Sequence, residues 1–543
     1  MFRFCFSLAG VLACALPLQA AEAPHPKLVV ALVVDQYSTD LFNEYRPRYT
    51  AGLAQLTDGV VFPRGHQGHA STETCPGHST ILTGARPART GIIANDWQNP
   101  LLSRKDKDSE TFTIYCVEKV GAAGSDARKK VMSHETLLVP TLGDRMKAKD
   151  ANTRVVSVSG KDRSAIMLGG HNADLTLWWT DAGYVTYNGM EANIPGDVSS
   201  KINAAMRKSY ATPTNPKLPP QCASKSHATK ITDDISVGTL KGFPGNSRRW
   251  RATPAMDAFT VDVALAAVKD RQLGKRDSID LLAVSLSGTD YVGHYYGSEG
   301  AEMCAQQVAL DQTIGRLLSA LDKAGISYVV SLTADHGAAD TTERNRERGV
   351  TDAQRIDTNL FPANMSAQLA RELHLPEPIV LGKNEFASDV YLSAAIPSDK
   401  RAAVLNATYL KYRSHPQVTA VFTKNELIAA APPAGPVDEW SLLERAKASF
   451  NAERSGDLVV LLKPYVSLYP SVKNVDTDYT ASHGSVWGYD RRVPILFWWK
   501  GIQGFQQPTA VETVDIAPTL AKLIGLEIPS QEIDGRALPL IQN

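Results

Sequence analysis

Residues 27–35 read Lys27-Leu28-Val29-Val30-Ala31-Leu32-Val33-Val34-Asp35. Seven consecutive apolar residues, most of them β-branched, run without polar alternation and stop on a carboxylate. A strand of that kind is buried on both faces, the condition of a parallel strand covered by helices. The runs at 154–159, 280–287, 327–333 and 493–499 have the same character and also read as buried parallel strands. Helical patterns follow at 254–272, 301–324 and 513–523. Alternating strands and helices predict an α/β fold: a central, mainly parallel sheet with helices on both faces. Two stretches interrupt the alternation. Residues 180–250 are loop-rich and carry Pro213, Pro216, Pro219 and Pro220. Residues 340–470 hold a charged linker, short strands and a helix, with the punctuation Pro432-Pro433-Ala434-Gly435-Pro436. Both read as insertions on the sheet, the second as a smaller α+β cap.

The 543 residues suit one large catalytic domain with insertions, or two to four ordinary domains. Hydrophobic residues make up 43% and charged residues 21%, an ordinary globular balance. Lys plus Arg and Asp plus Glu are each 57, so no net field draws the chain to nucleic acid or to a membrane surface. The local cluster Arg248-Arg249-Trp250-Arg251 reads as a solvated loop face. At the N-terminus, Arg3 precedes a short apolar run over 4–18, and Leu18-Gln19-Ala20 fits cleavage after Ala20. Residues 1–20 are therefore expected to be a signal peptide and 21–543 an exported catalytic chain, periplasmic or extracellular. Val11-Leu12-Ala13-Cys14 loosely resembles a lipoprotein box, in which Leu12 is unusual. No later stretch of about 18 residues is apolar and free of charge, so no stable membrane association is expected. Cys75, Cys116, Cys222 and Cys304 remain after cleavage, enough for two disulfides in any of three pairings, or for buried thiols.

The polar residues that close the strands carry the functional reading. The first strand ends in Asp35; the run at 280–287 leads to Asp290 and His294; the run at 327–333 leads to Asp335-His336. Ligands of open α/β sheets bind outside the carboxyl ends of the strands, so these groups converge on one edge. Asp290 and His294, four apart, would share the face of a helical turn. His483 precedes another strand and can return to the same edge. Three carboxylates and three imidazoles are ligand types that suit zinc. Thr72-Glu73-Thr74-Cys75-Pro76-Gly77-His78 adds a hydroxyl that a metal could activate, with Pro76 and Gly77 read as a turn into a helix at 79–82. Lys161 and Arg163, two apart, would point the same way in an extended segment and face one phosphate.

Taken together, these motifs resemble the alkaline phosphatase superfamily. Thr74-Cys75-Pro76-Gly77-His78 resembles the nucleophile segment of its type I phosphodiesterase/nucleotide pyrophosphatase branch. Lys161-Asp162-Arg163 resembles the PafA-like bacterial alkaline phosphatases, and 513–520 with Asp534-Gly535 resembles a C-terminal signature shared with sulfatases. The resemblance implies two zinc ions per chain. One would be held by Asp290, His294 and His483. The other would be held by Asp35, Asp335 and His336, with Thr74 as a further ligand. It implies Thr74 as nucleophile and Asn95, Lys161 and Arg163 as phosphate contacts. It implies small phosphate monoesters as substrates, with no nucleic-acid partner beyond nucleotide substrates. No sign of a third, magnesium site and no Cys-x-Pro-x-Arg segment is found. A phosphodiesterase of the same fold and a zinc-binding protein without catalysis are the competing readings.

Overall fold

The computed structural model describes residues 25–102, 104–106, 109–120, 130–382, 384–474 and 476–541; the expected signal peptide lies outside them. Leu28–Val34 (β1) is a central strand of a ten-stranded sheet. The other strands are Val60–His66 (β2), Val155–Ser159 (β3), Leu175–Thr180 (β4), Gly183–Val185 (β5), Asp280–Leu286 (β6), Tyr328–Thr333 (β7), Arg492–Trp499 (β8), Phe505–Gln506 (β9) and Val511–Glu512 (β10). Their order in space is β9-β2-β8-β7-β1-β6-β3-β4-β5, with β10 also paired to β2.

The unbroken apolar run of β1 is explained by two cores. Leu28, Val30, Leu32 and Val34 face one, where Val261, Ala264 and Val268 of Ala255–Arg271 meet Ile314 and Leu317 of Ala301–Lys323. Val29, Ala31 and Val33 face the other. There they meet Ile81 and Leu82 of Thr74–Thr83 (α1), Leu168 of Asp162–Gly169 (α2), and Ile516 and Leu520 of Ile516–Leu523. Alternate residues of one strand thus feed opposite helical layers, and burying each Val or Leu contributes roughly 1.5–3 kcal/mol.

Pairing brings the strand ends level. Val34 lies opposite Leu286, Val33 opposite Thr333, and Ser285 opposite Ser159, all in parallel register. Asp35, Ser287, Ala334 and Gly160 therefore leave the sheet along one edge.

The last expected parallel strand is corrected. β8 runs antiparallel to both β7 and β2, so the sheet is mixed though mostly parallel. Its apolar run signals burial on both faces, which a central strand has in either direction. β2 was not read from the sequence; Pro63 interrupts its pattern where the register with β8 shifts between Phe62 and Gly65.

Between β7 and β8 stands a second, antiparallel sheet. Its strands Val380–Leu381, Asp389–Leu392, Leu458–Leu462 and Val418–Thr423 lie in that order, with Pro362–Leu373 and Ser398–Ser414 packed on a separate core. Disulfides join Cys75 to Cys116 and Cys222 to Cys304. Among the described residues no helix is long and apolar enough to cross a membrane.

Candidate metal and phosphate site

Gly288–Tyr296 (α3) begins directly after β6 and carries Asp290 in its first turn and His294 in its last. The two side chains share a face, with His294 Nε2 3.3 Å from Asp290 Oδ1. His483 Nε2 approaches the same oxygen at 3.5 Å. On the neighbouring strand ends, His336 Nε2 lies 3.6 Å from Asp35 Oδ1 and 3.3 Å from Asp335 Oδ2. The rings of His336 and His483 stack with centroids 3.6 Å apart, so the two groups form one continuous cluster. All six expected carboxylate and imidazole ligands are brought together. By ligand-atom spacing, Asp290, His336 and His483 fall within 4.8 Å of one another, and so do Asp35, His78 and Asp335.

Each of the three expected histidine ligands is oriented by a backbone carbonyl. Nδ1 of His294 bonds Ala481 O at 3.0 Å, Nδ1 of His336 bonds Gly337 O at 3.0 Å, and Nδ1 of His483 bonds Thr72 O at 2.9 Å. A carbonyl can only accept, so the proton sits on Nδ1 and the Nε2 lone pair faces the carboxylates. His78 differs. Its Nδ1 bonds Thr74 O at 2.9 Å and lies 3.1 Å from Asp335 Oδ2, while its Nε2 meets Ser285 Oγ at 2.8 Å. Both nitrogens are engaged, so His78 orients Thr74 and Asp335. The sequence reading quoted His78 within a motif but gave it no role; its spacing of four from Thr74 on a helix was the available signal.

Thr74 is the first residue of α1 and is 1% exposed. The helix starts at Thr74, five residues before the helix expected at 79–82. Pro76 is tolerated because first-turn N–H groups have no intrahelical partner. A Cβ on Gly77 would collide with Asp335 O, so only glycine lets α1 approach the β7 end this closely.

Lys161 Nζ and Arg163 Nη2 both reach Thr74 Oγ at 3.4 Å. They do so from a different backbone than expected. Lys161 is the extended residue before α2, and Arg163 lies in its first turn. The two cations still converge because the helix start turns Arg163 back toward Thr74. Lys161 Nζ also bridges Asp35 Oδ2 at 2.7 Å and Asp290 Oδ2 at 2.6 Å. Asn95 accepts the Cys75 N–H on Oδ1 at 2.8 Å, and its own N–H donates to Glu73 Oε2 at 2.8 Å. Glu73, within the same motif, is half-buried, and loss of solvent around its carboxyl pushes it up to about 7.

The electrostatics divide the carboxylates. Burial, reinforced by the facing Asp335, pushes Asp35 well above the usual carboxylate range. Burial acts on Asp290 too, but Lys161, His294 and His483 together outweigh it and hold Asp290 well below that range. Asp335 is likewise held low, by His336 and His78 against burial. Burial lowers both His336 and His483 and keeps them neutral. Burial would also discharge Lys161, but Asp290 and Asp35 keep it firmly protonated.

The donor set fits divalent metal. Asp35 Oδ1, Asp290 Oδ1 and His336 Nε2 are buried without a hydrogen-bond partner, and Asp35 Oδ2 meets only the Lys161 ammonium. Leaving such groups unmatched costs several kcal/mol, which a cation would remove. Neutral imidazoles with an open Nε2, and ionised carboxylates such as Asp290 and Asp335, are the forms that bind zinc, and a cation would also draw Asp35 toward its ionised form.

The family model for type I phosphodiesterase/nucleotide pyrophosphatase matches residues 29–486. Alkaline phosphatase PhoK of Sphingomonas sp is 47% identical over 96% of this chain and 92% of its own length. Alkaline phosphatase PhoD of Zymomonas mobilis is 45% identical over 95% of this chain and 88% of its own. Among solved structures, the crystal structure of wild-type alkaline phosphatase PafA superposes with a TM-score of 0.80 at 26% identity, covering 96% of this chain and 99% of that one.

Proposed function

The chain belongs to the type I phosphodiesterase/nucleotide pyrophosphatase family, as a PafA-like hydrolase of the alkaline phosphatase superfamily, and on that premise we propose that it hydrolyses phosphate monoesters through a phospho-threonine on Thr74. The observation that carries this reading is the Thr74 hydroxyl, faced at 3.4 Å by both Lys161 and Arg163 beside the carboxylate–imidazole cluster.

Thr74 Oγ attacks phosphorus in line with the departing ester oxygen, and water then hydrolyses the phospho-threonine to inorganic phosphate. Lys161 and Arg163 neutralise the non-bridging oxygens, and Asn95 adds a neutral donor through Nδ2. His78 holds the Thr74 carbonyl and so fixes the start of α1. Asp35, Asp335 and His336 would hold one zinc with Thr74; Asp290, His294 and His483 would hold the second, on the leaving-group side. Two zinc ions there would lower the pKa of the attacking hydroxyl or water and neutralise the leaving oxygen. Residues 21–543 would form one catalytic unit with insertions near 180–250 and 340–470. Two disulfides support export to an oxidising compartment.

The matching family is named for diesterases, so a diester substrate is the second reading. A diester carries one ester group where a monoester presents a charged oxygen, and two cations at Thr74 favour the monoester. The test compares para-nitrophenyl phosphate with bis-para-nitrophenyl phosphate in the wild type and in Thr74→Ala. Higher kcat/KM on the monoester, its loss in Thr74→Ala, and trapping of phosphate on Thr74 support the reading. Near-normal turnover by Thr74→Ala overturns it.

A further inference from the structure

Of the segment Arg248-Arg249-Trp250-Arg251, expected to be solvated, Arg248 is exposed, while Arg249 and Trp250 are buried and Arg251 is half-buried. Trp250 is 1% exposed and Arg249 8%. Arg249 lies over the rings of Tyr295 and Tyr296 at 4.5 and 4.9 Å and donates to Tyr296 Oη at 2.6 Å. Arg248 Nε donates to Tyr295 Oη at 3.1 Å. Both tyrosines belong to α3, the helix of Asp290 and His294.

Arg251 is placed differently from its neighbours. It lies over Tyr291 of the same helix at 4.5 Å and donates to Tyr291 Oη at 3.3 Å. Lys161 Nζ is 5.3 Å from the centroid of that same ring, so Arg251 and the proposed phosphate clamp share contact with Tyr291. The ring of Tyr479, which adds to the field at Arg251, stacks on His294 at 4.5 Å. Arg251 is half-buried, and among the described residues it has no carboxylate partner. Lys161 is taken up by Asp35 and Asp290, and Arg163 is beside Asp162. Arg251 is a guanidinium held rigid by aromatic faces, with donors left to offer, next to the helix that carries Asp290 and His294.

We propose that Arg251 is a leaving-group subsite that receives a second anionic group, carboxylate or phosphate, carried on the alcohol portion of a phosphate monoester. This rests on the monoesterase reading and on the Asp290 side being where the alcohol departs. The second anion replaces water on a guanidinium already ordered by Tyr291, so little side-chain freedom is lost on binding. Arg251 and Lys161 are two cations at one ring, so one substrate can present two anions without both competing for the same cation.

The test measures kcat/KM for phenyl phosphate and para-carboxyphenyl phosphate in the wild type, Arg251→Ala, Arg251→Gln and Arg251→Lys. Comparing each substrate with itself across proteins cancels the difference in leaving-group pKa. Arg251→Ala should lose about tenfold or more on the carboxylated substrate and stay within about twofold on phenyl phosphate. Arg251→Lys should recover part of the loss. Arg251→Gln gives the same contrast if the alanine variant does not fold. Equal losses on both substrates, or no loss on the carboxylated one, overturn the subsite and leave Arg251 a support for α3. Failure of the wild type on phenyl phosphate sinks the monoesterase reading and the subsite together, which separates the two outcomes.

Discussion

The site has two halves that are built differently. The carboxylate–imidazole half, His483 apart, hangs from the ends of β1, β6 and β7, whose registers are fixed by two buried cores. Asp35, Asp335 and His336 are wholly buried, and each expected histidine ligand is pinned by a main-chain carbonyl. The phosphate half hangs from two helix starts and the turn before a short hairpin. Thr74 opens α1, Lys161 and Arg163 bracket the start of α2, and Asn95 precedes Asp96–Gln98. Arg163 and Asn95 are partly exposed. The first half cannot move without disturbing the sheet; the second can be re-aimed by a change in one loop. Activity as such should therefore depend on the first half together with Thr74, and choice of substrate on Lys161, Arg163 and Asn95.

The largest effect should come from removing metal. Dialysis against a chelator should cut monoester and diester turnover alike, on the order of 1000-fold or more, since several kcal/mol of charge stabilisation is lost. Zinc should restore both, with close to two zinc per chain by elemental analysis. Selective loss of one activity would break the division between the halves. The next effect is smaller and selective. Arg163→Ala removes a charge-assisted contact, expected to cost roughly ten- to a hundredfold on a monoester and much less on a diester. Adding Lys161→Ala should widen the gap. Arg163 is the cleaner probe, because Lys161 also bridges Asp35 and Asp290 and so belongs to both halves. Equal losses on the two substrates would place specificity elsewhere.

The two halves were also unequally legible in the sequence. Asp35, Asp290 and Asp335 could be placed because a buried apolar run that stops on a carboxylate marks a strand end. His294 followed from helical spacing. The pinning carbonyls of Ala481, Gly337 and Thr72 carry no sequence signal, since every residue has one. In the proposed phosphate half, the expected residues lie together around Thr74, but their backbone was not legible. Lys161 and Arg163 were expected in extended chain and instead straddle a helix start, because a short helix such as Asp162–Gly169 leaves little periodic pattern. α1 was expected to begin after Gly77, since proline and glycine read as a turn when the tolerance of a first turn for proline is not weighed. The direction of β8 was invisible for a related reason: burial pattern reports on faces and not on polarity. Arg251 was misjudged because four charged and aromatic residues in a loop say nothing about the tyrosines of a distant helix.

The smallest effect should arise where the phosphate half is fastened. Asn95 sits inside a closed triangle. Its Oδ1 takes the N–H of Cys75, its carbonyl takes the N–H of Cys116 at 2.9 Å, and a disulfide joins the two cysteines. Cys75 follows Thr74 directly, so the bond ties the helix of the proposed nucleophile to the hairpin formed by Asp96–Gln98 and Thr113–Tyr115. Without it, Asn95 keeps both hydrogen bonds but loses the covalent strap that limits how far the hairpin can swing. A neutral hydrogen bond that is made only part of the time forfeits about 0.5–1.5 kcal/mol, or roughly two- to tenfold in rate. The double variant Cys75→Ser with Cys116→Ser should therefore lose that much in kcat/KM on the monoester and bind inorganic phosphate correspondingly more weakly. Cys222→Ser with Cys304→Ser removes a disulfide that joins Cys304 of Ala301–Lys323 to the insertion, away from Thr74. That pair should lower Tm and leave kcat/KM within about twofold, because its main effect is on the entropy of the unfolded chain. If both double variants lose activity in proportion to their loss of Tm, the Cys75–Cys116 bond acts only on stability and the phosphate half needs no strap. If only the first loses phosphate affinity at a temperature where both are folded, the strap aims Asn95, and the softer half of the site owes its alignment to a bond outside the sheet.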